Sequence, residues 1–138
     1  MDFTRRDTLA LGMGAVALTV LPFRANAAAD DAIAAFTGGA AMADTGVTLT
    51  APEIAENGNT VPIAVEAEGA VAIMVLAAGN PTPGVATFTF GELAGAHSAS
   101  TRIRLAGTQD VIAIAQMADG SFAKASSNVK VTIGGCGG

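Results

Sequence analysis

The chain has 138 residues, enough for one domain with a modest core, and twelve acidic against seven basic residues give it a formal charge of −5. Beyond the N-terminus, Arg102 and Arg104 are its only close basic pair, which excludes the clustered Lys and Arg that nucleic-acid phosphates require. One cysteine excludes an internal disulfide, and one histidine excludes a His-rich metal centre.

The N-terminus reads as an export signal. Arg5-Arg6 precedes an apolar run from Leu9 to Leu21, Pro22 ends that run, and Ala25-Asn26-Ala27 offers small residues for cleavage after Ala27. The run is shorter than the ~20 residues a permanent membrane helix needs. A twin arginine before a mild apolar stretch is a Tat-type address, here with Thr8 where the motif commonly has Phe. Segment 1–27 is therefore expected to be removed, taking two acidic residues and three arginines with it. The mature chain keeps ten acidic and four basic residues, a charge of −6, and no second apolar run. It is expected to be a periplasmic protein with no membrane segment.

Residues 30–43, "DDAIAAFTGGAAMA", predict a short helix capped by Asp30 or Asp31 and stopped by Gly38-Gly39. From Thr45 the period becomes two. Strands are predicted at 45–51, 60–68, 71–77, 85–90, 100–106, 110–117, 121–126 and 128–133, separated by turn-forming stretches such as Asn80-Pro81-Thr82-Pro83-Gly84. The run 71–77, "VAIMVLA", is apolar throughout, as a central strand would be. Short strands without helical crossovers predict an all-β, immunoglobulin-like antiparallel β-sandwich over 28–133 with a short N-terminal helix. Trp and Tyr are absent, so neither the buried tryptophan nor the tyrosine corner of immunoglobulin domains is available.

Ordinary active-site chemistry is missing. His97 lies in a Gly/Ala/Ser-rich loop and reads as a solvated surface histidine. A dyad with Cys136 would need the chain's end to dock on that loop. Glu66 and Glu68 share a strand face and read as solvated rather than as a carboxylate pair. "GGAAMADTG" follows a helix rather than a strand and reads as a linker, not a phosphate loop. No catalytic residue, metal or cofactor is expected.

The C-terminus is different. After "VKVTI" the chain ends Gly134-Gly135-Cys136-Gly137-Gly138. Glycine has the widest backbone freedom and nothing to pack, so this five-residue segment is expected to form a slim, flexible arm reaching ~17 Å. The thiol has no Lys or Arg within the last eight residues to activate it, so it should titrate near the ordinary value of ~8.5. An exposed, unactivated thiol on a thin arm suits a substrate attachment point, with activation supplied by whatever pocket receives it.

These features resemble the SoxY family, the sulfur-carrier subunits of the bacterial Sox thiosulfate-oxidising system. The resemblance is carried by the closing "GGCGG", the twin-arginine leader, "IAENGNTVPIAVEA" (54–67) and "NVKVTIGGCGG" (128–138). It implies a carrier and not an enzyme, with Cys136 holding sulfur intermediates covalently as a cysteine S-thiosulfonate and its products. A cytochrome partner would conjugate thiosulfate, a hydrolase would release sulfate, and a sulfane dehydrogenase would oxidise the remaining sulfur. A heterodimer with a SoxZ-like small β-sandwich is implied as well. Three other readings of the residues stand beside it. One is an exported immunoglobulin-like module that dimerises through Cys136. The second is a ubiquitin-like carrier using the terminal Gly137-Gly138, and the third is a thiol hydrolase using His97.

Overall fold

A computed structural model describes residues 25–134 of the chain. The twin arginine (Arg5, Arg6) and residues 135–138 lie outside the described residues. Helix α1 (Ala25–Thr37) is followed by β1 (Met42–Ala43), β2 (Thr48–Thr50), β3 (Ile54–Ala55), β4 (Val61–Glu66) and β5 (Ala70–Ala77). Then come β6 (Gly84–Thr89), β7 (Ser98–Ile103), β8 (Gln109–Met117) and β9 (Phe122–Val131).

The strands form two sheets. The larger has the order β1-β9-β8-β5-β6, with β3 also pairing to β9, and the smaller has the order β2-β4-β7. Long neighbours are antiparallel, while β1 and β3 each pair parallel with β9. The alternating pattern of β4 sends Val61, Ile63 and Val65 inward. There they join Ile103 and Leu105 against Ile73, Val75, Val111, Ala113 and Val129 of the larger sheet. The result is the expected sandwich core, sealed by side chains of period two.

The outer face of the larger sheet is also covered. Met74, Leu76 and Ile114 point away from the sandwich and pack with Ile33 and Phe36 of α1 and with Phe122. The Phe36 and Phe122 rings meet edge to face at 5.9 Å and 70°. This explains the unbroken apolar run of β5, whose odd positions from Ile73 face the other sheet and whose even positions from Met74 face the helix.

Several boundaries differ from expectation. The helix starts at Ala25, so Asp30 and Asp31 lie within it and cap nothing. The alanines at 27–29 propagate helix upstream of the acidic pair. Its stop is as expected: Gly38 takes φ +66° and its amide donates to the Ala34 carbonyl at 2.8 Å. Cleavage after Ala27 would leave ten residues of α1, including buried Ala29. The strands predicted at 121–126 and 128–133 are a single ten-residue β9, paired along β8 from Phe122 to Val129. The segment predicted as strand 100–106 leaves the ladder at Ile103, and Arg104–Gly107 form a separate loop.

Candidate functional site: the root of the C-terminal arm

Strand β9 delivers the chain end to one pole of the sandwich, and its last residues are held from both sides. On one side the Lys130 amide donates to the Glu53 carbonyl at 2.9 Å and the Thr132 amide to Ala55 at 3.1 Å. On the other, the Val131 amide donates to Thr108 Oγ1 at 3.0 Å. Thr132 Oγ1 adds a bond to the Glu56 carbonyl at 2.9 Å. Regular strand ends at Val131, two residues before the predicted Ile133, yet backbone pairing continues. The Gly58 amide donates to the Ile133 carbonyl at 2.7 Å. The Ile133 side chain is 67 % exposed, so it is the backbone that is anchored.

Gly134 is the point of exit. A Cβ built there would overlap the carbonyl oxygen of Ala106, a backbone atom that cannot swing aside, so only glycine passes without displacing something. Gly135, Cys136, Gly137 and Gly138, the rest of the predicted arm, lie outside the described residues.

Sequence reasoning missed what stands behind that carbonyl. Asn80 and Gln109 are buried polar residues, 29 positions apart, joined by Gln109 Nε2 donating to Asn80 Oδ1 at 2.8 Å. Asn80 Nδ2 donates to the Arg104 carbonyl at 2.8 Å, and Asn80 Oδ1 accepts from the Ala106 amide at 2.9 Å. Gln109 Nε2 also donates to the Gly107 carbonyl at 3.0 Å, while its Oε1 accepts from the Gly79 amide at 2.9 Å. Each of the four side-chain polar atoms of the pair has at least one partner, and no buried side-chain polar atom among the described residues is left without one. The only sequence signal was the turn-forming Asn80-Pro81, which gave no hint of a partner at 109.

The other candidate residues are placed elsewhere. Glu66, Glu68 and His97 line a recess of ≈ 380 Å³ at the opposite pole, without any grouping of three metal-capable side chains among the described residues. His97 is not the solvated histidine expected. Its ring is half-buried, stacks on Phe90 with centroids 5.5 Å apart, and donates from Nδ1 to the Ala70 carbonyl at 2.6 Å. The Ala67 amide donates to the His97 carbonyl at one end of β4, and the Leu105 amide donates to Gly58 beyond the other. The six residues of β4 between them set the poles about 20 Å apart at ~3.4 Å per residue.

Arg102, Arg104 and Lys130 lie toward the arm's pole together with Glu53 and Glu56. Arg102 Nη1 donates to Thr60 Oγ1 at 3.3 Å on the rim of an apolar recess of ≈ 600 Å³, floored by Pro62 and Ala64. Arg104 follows in the loop that Asn80 holds, and Lys130 lies on β9 beside Glu53.

A family model described as sulfur oxidation protein SoxY matches residues 33–136, so the match runs from α1 to the cysteine itself. The chain belongs to the SoxY family. Among solved structures it is similar to the sulfur carrier protein SoxY from Chlorobium limicola f thiosulfatophilum. The two share 36% identity over 78% of this chain and 98% of that one, with a TM-score of 0.66. The superoxide reductase (neelaredoxin) from Ignicoccus hospitalis aligns with a TM-score of 0.56 at 14% identity, covering 63% of this chain and 80% of that one, a likeness of fold alone. No curated protein matches the sequence. SoxY proteins act within the Sox sulfur-oxidising system, so this chain's partners are to be sought there. Among the described residues no helix is long and apolar enough to cross a membrane.

Proposed function

We propose that this chain is a covalent carrier of sulfur intermediates, exported by the twin-arginine route and holding its cargo on Cys136 while partner enzymes act. The observation that carries the reading is the glycine exit at 134, set on a strand end bonded on both sides, two residues before the chain's single thiol. A fixed root and a thin continuation let partner active sites receive the thiol without disturbing the sandwich.

The chemistry then divides among proteins. A cytochrome partner joins the Cys136 sulfur to the outer sulfur of thiosulfate, releasing the thiol proton, and the two electrons lost as this S–S bond forms pass one at a time through its haem iron to a further electron acceptor. The product is a cysteine S-thiosulfonate. A hydrolase adds water across the S–SO₃ bond, releasing sulfate and leaving a persulfide on Cys136. Where a sulfane dehydrogenase is present, it oxidises the outer sulfur with oxygen from water and takes the electrons. A second hydrolysis frees the thiol. This chain contributes attachment, reach and presentation. A SoxZ-like β-sandwich is its proposed heterodimer partner, and export of the folded pair on one leader suits the Tat route.

Intact mass spectrometry of the carrier turned over with thiosulfate and the partner enzymes tests the reading. Increments corresponding to thiosulfonate and sulfane sulfur are expected on the wild type and absent from Cys136→Ser. Increments persisting on Cys136→Ser, or a wild type that shows only reducible dimers, would sink it.

A further inference from the structure

We infer that the buried Asn80–Gln109 pair is a positioning device for the arm, fixing the backbone against which the chain end leaves the sandwich. The inference rests on the carrier reading for its purpose, and on hydrogen bonds within 25–134 for its substance.

One asparagine side chain grips both ends of a three-residue segment. It donates to the Arg104 carbonyl and accepts from the Ala106 amide, and between them the buried Leu105 sends its own amide to the Gly58 carbonyl at 2.7 Å. Gly58 then passes its amide to Ile133, the last residue before the exit. The same segment presents the Ala106 carbonyl to Gly134. Two residues on, Thr108 receives the Val131 amide. The loop therefore meets the arm's root directly at Gly134, indirectly through Gly58 at Ile133, and just past its end through Thr108 at Val131, and Asn80 holds it from behind.

Gln109 fixes Asn80 in turn. Its amide bridges Asn80 Oδ1 and the Gly107 carbonyl, and its stem fills the space at Gly79, where a Cβ would lie 2.9 Å from Gln109 Cβ. Buried amides are costly when left without partners, and a pair whose four polar side-chain atoms are all bonded admits few alternative arrangements. A pair serving stability alone could sit anywhere in the core. This one spends its bonds on the loop that borders the exit.

The test combines amide exchange with partner kinetics in Asn80→Ala and Gln109→Met, the latter keeping length and volume if the former folds poorly. Exchange at the Gly58 amide, which reports the bond to Ile133, is expected to accelerate about tenfold, while Ile114 in the central sheet keeps its protection. With S-thiosulfonate-loaded carrier as substrate, the hydrolase is expected to show KM raised about three- to tenfold and kcat little changed, since a misaimed arm is captured less often but reacts normally once bound. Alkylation of Cys136 by iodoacetamide should proceed at the wild-type rate. Unchanged Gly58 exchange or unchanged KM in folded variants would overturn the inference. Faster exchange at Gly58 in a protein whose wild type takes up no sulfur would instead overturn the carrier reading and leave the positioning role standing.

Discussion

The α-carbon of Gly134 faces the carbonyl oxygen of Ala106 so closely that no side chain fits between them. The contact joins the last residue of the described chain to a loop held by buried amides, and it sets the first consequence. In Gly134→Ala the new methyl group must displace either a braced loop or a chain end, and the chain end yields. Stability should change by less than about 1 kcal/mol, as for most surface substitutions. Turnover by the partner enzymes should fall, because the arm leaves in another direction. A melting curve beside a steady-state assay checks both. A large loss of stability would mean the loop had moved instead.

Thickness of the arm is a separate matter. Gly135→Leu leaves the root untouched and adds bulk one residue before the thiol. The carrier should fold normally and react with small alkylating agents, yet cycle more slowly with every partner that must swallow the arm. Cycling at the normal rate would show that partners bind without enclosing the arm.

Leu105 is fully buried although it belongs to the 104–107 loop, where it ties that loop to the sandwich core. Leu105→Ala should cost about 2–5 kcal/mol, the range for a deleted core leucine. For a domain of this size each kcal/mol is worth about 4–8 °C in Tm. Thermal unfolding at neutral pH measures it.

His97→Ala separates structure from chemistry. Losing the bond to Ala70 and the stack on Phe90 should destabilise the domain by about 1–2 kcal/mol. Sulfur loading at Cys136 should be unchanged below the melting transition. Abolished loading in folded protein would revive a histidine-dependent hydrolase.

Asp119 sits in the turn between β8 and β9, where bonds from the Ser121 hydroxyl at 2.6 Å and the Ser121 amide at 2.9 Å hold its carboxyl below the usual carboxylate value of 3.8. A carboxyl lowered in the folded state stabilises above its unfolded value and loses that contribution as pH falls through the folded one. The Tm gap between wild type and Asp119→Ala should therefore be constant near neutrality and narrow below pH ~4. A gap that widened in acid would contradict the assignment.

The sandwich was legible because alternation in 60–68 and 110–117 maps onto burial, while the four glycines around Cys136 suggested an arm that lies outside the described residues beyond Gly134. What escaped the sequence depended on distant partners. Strand β9 passes Ser127 and Asn128 without breaking because β8 pairs with both, and Asn128 Nδ2 bonds Asp110 Oδ1 at 2.9 Å. The expected strands left a break at Ser127 alone, and tertiary pairing carries the ladder through it. The two-residue strands β1 and β3 have no period to detect. His97 looked solvated because its partners, Phe90 and Ala70, come from outside its loop. Asn80 and Gln109 each look unremarkable in sequence, and only the fold makes them neighbours.

The neighbours of β9 have a mechanical consequence. β8 runs along one side of it from Phe122 to Val129, and on the other β1 and β3 pair with its two ends, at Phe122–Ala123 and Lys130–Val131. A partner that tugs on the chain end pulls along the strand axis, so the flanking bonds are loaded together in shear and cannot be unzipped one at a time. For the carrier role proposed above, this would let the chain end be drawn into a partner while the domain behind it keeps its grip.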